Sequence, residues 1–175
     1  MNRLALAAVL VCAAAPAAQA QSMNVRLITE RVAGEICPPL LKDGDMYAAI
    51  GAAERAGYAV SYILPTTIRY GAADRQPEPI FVEMEGSHRG ILRLRNQYGL
   101  RVCSVGIHEG SVERIAETVE PYLRAFGLEP VIDERQGPLA ISVWRGPDSQ
   151  AVISRSTEFR PGSEIVMTAV VAQVD

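Results

Sequence analysis

The stretch Ile80–Arg95, IFVEMEGSHRGILRLR, decides the fold class. Ile80, Val82 and Met84 alternate with Phe81, Glu83 and Glu85, a period of two that fits a strand with two unlike faces. After Gly86-Ser87-His88-Arg89-Gly90 a second run begins, Ile91-Leu92-Arg93-Leu94-Arg95. Closing the chain across those five residues sets Glu85 opposite Ile91, Met84 opposite Leu92, Glu83 opposite Arg93 and Val82 opposite Leu94. One register thus matches apolar with apolar and acid with base, so the stretch reads as an antiparallel hairpin.

Working outward, Gln97-Tyr98-Gly99 turns the chain into a further strand at about 100–108. Upstream, residues 65–79 hold three prolines and read as a long loop after a strand at 58–64. Before that strand lies a helix at 46–56, with Asp43-Gly44-Asp45 as turn and N-cap and Gly57 as its end. Val25, Ile28, Val32 and Ile36 give a first helix at 23–36, which Cys37-Pro38-Pro39 should end. Downstream, Ser111 caps a helix at 112–126 whose apolar face includes Val112, Ile115, Val119 and Leu123. Pro121 should kink or break it, and Gly127 closes it. Strands are expected at about 129–133, 138–145, 150–157 and 165–173, separated by glycine- and proline-bearing turns.

The expected class is α+β: mostly antiparallel sheet with helices on one face. Helix, glycine and four strands occur twice in order, with Arg55-Ala56-Gly57-Tyr58 echoed by Arg124-Ala125-Phe126-Gly127-Leu128. The halves 37–102 and 103–175 therefore read as possible tandem repeats of helix plus four strands. This order is similar to that of the secreted beta-lactamase inhibitor protein family, a likeness of topology with no motif behind it.

The first twenty residues carry the three parts of an export signal. Met1-Asn2-Arg3 is cationic, Leu4–Val11 is apolar, and Ala18-Gln19-Ala20 offers small residues for cleavage. The expected mature chain is a single domain, 21–175. Cys12 is preceded by Val11 rather than by the small residue of a lipidation site. No later stretch approaches the roughly 20 apolar residues of a membrane span, so no membrane insertion is expected after the signal is removed. Of 17 Lys+Arg, Arg3 leaves with the signal, and the remaining 16 face 20 Asp+Glu. A mildly acidic chain lacks the concentrated basic face that nucleic acid requires. Without Cys12, Cys37 and Cys103 remain, and in an exported chain they read as a disulfide. The expected location is the periplasm or the exterior of a bacterium.

Candidate chemistry is sparse. No GxSxG, HExxH, CxxC or Walker-type sequence occurs, and no cofactor is expected. Ser87, His88 and Arg89 put hydroxyl, imidazole and guanidinium on one hairpin tip, which could hold an anion, or simply be a polar loop. His108 and Glu109 stand just before a helix N-terminus, as a general base with an orienting acid or as an ordinary turn. A metal site joining His88 and His108 with Glu85 and Glu109 would draw on opposite ends of adjacent strand segments, so no metal is expected. Trp144 has the opposite parity to Leu139, Ile141 and Val143. If those three face the core, Trp144 and nearby Arg145 face solvent as contact anchors; the alternative packs Trp144 under a loop or helix. These features give a non-catalytic binding protein, its partner another envelope or extracellular protein. The competing reading is a small extracytoplasmic hydrolase using His108 and Glu109. A cleft between the helix at 112 and the loop at 86–90 would favour the hydrolase, and a flat sheet face with exposed Trp144 the binder.

Overall fold

A computed structural model describes residues 25–65, 78–86, 90–108, 110–156 and 162–170. Helical residues 25–43 (α1) and helix α2 (Met46–Arg55) precede strands β1 (Tyr58–Pro65), β2 (Pro79–Gly86), β3 (Ile91–Gln97) and β4 (Leu100–His108). Helix α3 (Val112–Ala125) then precedes β5 (Glu129–Glu134), β6 (Ile141–Arg145), β7 (Ser149–Arg155) and β8 (Gly162–Val170). The eight strands form one antiparallel sheet in the order β1-β2-β3-β4-β8-β7-β6-β5.

The hairpin register read from the sequence is the observed one, with Glu85 opposite Ile91 and Val82 opposite Leu94. Glu83 accepts from Arg93 Nε at 2.8 Å, and Gly86 N–H closes the turn on Gly90 O at 3.0 Å. The strand expected from residue 138 begins at Ile141, and β8 begins at Gly162 rather than near 165. The earlier start lets β8 pair along all of β4, from Leu100 opposite Val170 to His108 opposite Gly162.

The helix end expected at Pro38 and Pro39 is not observed. The first helix does not end at Cys37-Pro38-Pro39 but continues to Asp43. Its turns widen there: Cys37 N–H donates to Val32 O, five residues back, and Pro39–Asp43 forms a second wide turn. A proline ring crowds the carbonyl four residues before it, and a wider turn relieves that clash without ending the helix. Gly44 ends the run with φ 75°. A Cβ there would come within 2.8 Å of Arg101, whose Nη1 donates to Leu41 O and Lys42 O at 3.1 and 2.7 Å. Arg101 therefore supplies the cation that the exposed carbonyls of a helix C-terminus attract. Helix α3 likewise runs through Pro121 as one element. Ser111 Oγ accepts from Arg114 N–H at 3.3 Å at its start. At its end Gly127 N–H and Leu128 N–H turn back to Arg124 O and Leu123 O, both at 2.9 Å. Gly127 takes φ 83°, and buried Leu128 and Leu123 complete the Schellman pattern.

The core lies between the helices and one face of the sheet. A row across all eight strands shows its composition: Ile63, Val82, Leu94, Cys103, Met167, Ala151, Trp144, Pro130. Val82 to Trp144 of that row are buried with Ile36, Leu40, Ile115, Val119 and Leu123 of the helices. Each large aliphatic side chain buried this way contributes about 1.5–3 kcal/mol. Cys37 and Cys103 form the expected disulfide, with 5.6 Å between their Cα atoms and both residues fully buried. It joins α1 to the middle of the sheet. Gly34 of α1 meets the Tyr122 ring of α3, where a Cβ would stand 2.7 Å from Cε1, so these helices pack closely. No helix among the described residues is long and apolar enough to cross a membrane.

Candidate functional site

Pleating sends alternate residues of each strand to the face without helices. The central row there reads Tyr62, Glu83, Arg93, Ser104, Val166, Val152, Val143, Ile132. It has two halves. On β1–β4 it is aromatic and charged: Tyr62 stands with its ring centroid 6.1 Å from that of Phe81, beside the Glu83–Arg93 ion pair. On β8–β5 it is four aliphatic side chains in succession. Val166 and Val152 are half-buried, Val143 is buried by its neighbours, and Ile132 is exposed. Among the described residues the helices all pack on the other face, so no helix covers this row. Arg145, in the adjacent row opposite Gln150, is exposed on the same side.

Trp144 is not on that face. The structure buries it completely beneath α3, correcting the reading of it as an exposed anchor. Its Nε1–H donates to Ser142 Oγ at 2.9 Å, and Ser142 Oγ donates to Asp133 Oδ1 at 3.1 Å. Arg135 Nε reaches the same Asp133 oxygen at 2.5 Å, and its Nη2 lies 3.4 Å from Glu120 Oε2. Glu120 Oε1 accepts from Arg124, whose guanidinium stands 5.4 Å from the Trp144 ring centroid. The indole is thus encircled by hydrogen bonds and capped by a cation. The Arg135 hydrogen bond, aided by that of Ser142, holds the Asp133 carboxyl below its usual range, and Asp133 pushes Arg135 up. Parity alone does not decide this strand, because both phases of β6 carry large apolar residues: Ile141 and Val143 lie on the open face, and Trp144 on the helix side.

His108 ends β4, half-buried, opposite Gly162. Glu109, Ser87, His88 and Arg89 lie outside the described residues, so their candidate chemistry rests on sequence. One geometric expectation is overturned for the described pair: Glu85 is opposite Ile91 and Ile91 opposite Gly106, so Glu85 and His108 share one end of the sheet rather than opposite ends. No cluster of three potential metal donors occurs among the described residues.

A cleft of about 1070 Å³ opens at the same end, beside the start of α3. Its walls are the start of α3 (Gly110–Glu113), the β5–β6 connection (Arg135–Ile141) and the ends of β7 and β8. His108 does not line it. Ser163 Oγ donates to Gly110 O at 2.6 Å, and Gln136 Nε2 to Glu113 Oε1 at 3.0 Å, so its polar groups are largely taken up by one another. In the wall, Arg135 is pushed up chiefly by its hydrogen bond to Asp133, which makes it a firmer ion-pair partner.

No family model, curated protein or solved structure matches this chain. The topological likeness noted above therefore rests on the order of elements alone. The residues that sequence reasoning missed are the open-face aliphatics, Val166, Val152, Val143 and Ile132. A signal for them existed in the otherwise polar phase of each strand: Val152 between Gln150 and Ser154 in β7, and Val166 between Glu164 and Thr168 in β8. Each is isolated along its own strand, and only the cross-strand register sets Val152 beside Val166 in a continuous row.

Proposed function

We propose that this protein is a non-catalytic binding protein of the bacterial envelope or exterior, exported by its cleaved signal, and that it engages a protein partner through the open face of its sheet. One observation carries the reading: the uncovered aliphatic row Val166–Val152–Val143–Ile132, next to the ion-paired and aromatic half of the same row. Apolar centre and polar surround is how interfaces are composed. Arg145 stays in the contact set, and Trp144 leaves it. The disulfide accords with an oxidising compartment. The hydrolase alternative with His108 and Glu109 has less support, since His108 is not among the residues lining the cleft.

The two halves are read here as tandem repeats. In support, the strand order is mirrored about the β4–β8 pair. Each helix ends at a glycine of positive φ, Gly57 or Gly127, and each following strand slips register four residues later, at Ser61 or Val131.

The test is capture from envelope extract with a photocrosslinking residue at Val152, and at Glu117 on α3 for comparison, with adducts identified by mass. A discrete adduct from position 152 that position 117 does not give is the expected result. Equal labelling from both positions, or none from 152, rejects the open face as the contact surface. Intact mass of the exported protein should match a chain beginning at Gln21, and a lipid-modified mass beginning at Cys12 would contradict the export reading.

A further inference from the structure

The two edges of the sheet hold equivalent places and differ in chemistry. β1 and β5 are the outermost strands, each the first after a helix and each interrupted by a register slip. β5 reads EPVIDE, with three carboxylates and a proline among its six residues. Glu129 and Asp133 are paired with Arg124 and Arg135. Charge and proline are the usual means of keeping an edge from pairing with another chain. β1 reads YAVSYILP and carries no charge. Tyr58 is buried, and its phenol is pushed up to about 12 by that burial, but every residue from Ala59 to Pro65 is exposed. Tyr62 is 52% exposed and Ile63 47%. By register Val60 and Ile63 stand on the helix side, and Tyr62 and Leu64 on the open side. Among the described residues no strand pairs with the outer edge of β1, so its outward amides and carbonyls have no ladder partner.

We propose that β1 is a dimer edge, where a second copy of this chain adds its own β1 antiparallel about a two-fold axis and continues the sheet. In such a pairing a strand meets its own reversed copy, so any charge on it comes to face a like charge. β5 paired with itself would set acid against acid. β1 paired with itself opposes only uncharged side chains in every register. Apolar side chains on both its sides gain cover at once, and the ladder satisfies the outward backbone groups. A foreign strand would be selected partly by charge, and β1 offers none to read.

Sedimentation equilibrium of the purified, oxidised protein tests this. The wild type should have twice the chain mass. Ile63→Lys should halve it with unchanged circular dichroism, and Tyr62→Lys, on the opposite side of the strand, should do the same. Val131→Lys, on the β5 edge, should leave the dimer intact. Amide exchange on the wild type needs no variant: β1 amides should slow as protein concentration rises, and β5 amides should not. A monomeric wild type overturns the proposal. So does a dimer that survives both β1 variants, a dimer that dissociates with Val131→Lys, or a wild-type mass made up by a different co-purified chain.

Discussion

In its second half the sheet has an apolar face that the helices cover and an open face whose central row is aliphatic, flanked by Glu164, Thr168, Gln150, Ser154 and Arg145. On the helix side of β6 and β7, Trp144, Ala151 and Ile153 are sealed beneath α3. On the other side Val143 and Val152 continue an aliphatic row that no helix among the described residues covers. Apolarity alone therefore does not say which face is core. What distinguishes them is polar satisfaction: the indole N–H of Trp144 has Ser142 and the Asp133–Arg135–Glu120–Arg124 ring around it. The open row has only aliphatic side chains, and no helix among the described residues covers it.

Removing the covered side's anchor should have the largest effect. Trp144→Ala should cost about 3–5 kcal/mol in urea denaturation, because it leaves a cavity under α3 and removes the hydrogen bond to Ser142 Oγ. The wild-type emission should be blue-shifted and resist iodide quenching. A loss within experimental error, or an emission like that of free tryptophan, would move Trp144 back to the surface and erase the contrast between the faces. Next comes the covalent tie on that side. Reducing Cys37–Cys103 opens a sequence separation of 66 residues. The chain-entropy relation gives about 4 kcal/mol for a loop of that size, with the 25–43 helical segment expected to loosen first in amide exchange. Thiol titration of the denatured, unreduced protein should find none, and two free thiols would contradict the bridge.

These two residue sets were unequally legible in the sequence. The disulfide followed from counting cysteines in an exported chain, and the hairpin register followed from matching charge and apolarity, since each signal is local and one-valued. The α+β class followed from the same alternation. Trp144 was not legible, because its strand is apolar on both phases and the deciding partners, Ser142, Asp133 and Arg124, come from three different elements. The helix end expected at Cys37-Pro38-Pro39, and the alternative break at Pro121, are absent for a related reason. Pro38, Pro39 and Pro121 forbid a donor, but tertiary packing of Ile36, Leu40 and Val119 outweighs one missing hydrogen bond. The cleft walls, joined by Ser163 and Gly110, pair residues too distant in sequence for any spacing rule.

A smaller effect sharpens the same contrast by pH. The Asp133 carboxyl is held below its usual range, chiefly by the Arg135 hydrogen bond. A carboxyl with a depressed folded pKa adds stability above its unfolded pKa, and loses it as pH falls through the folded value. Its side chain is 42% exposed, so the contribution is about half a kcal/mol or less. Asp133→Asn should therefore lower the urea midpoint slightly at neutral pH and narrow its gap from wild type at strongly acid pH. A variant deficit that grows on acidification would show that the ring around Trp144 does not depend on this carboxylate.

The most direct test of the central claim pairs a stability reading with a binding reading on one open-face residue. Val152→Asp places a charge in the middle of the aliphatic row, where half-burial limits its cost to about 1 kcal/mol. The account predicts that this variant melts close to wild type yet no longer retains the partner captured through position 152, while Glu117→Lys on the helix side retains it fully. Full retention by a folded Val152→Asp protein would contradict the assignment of function to the open face.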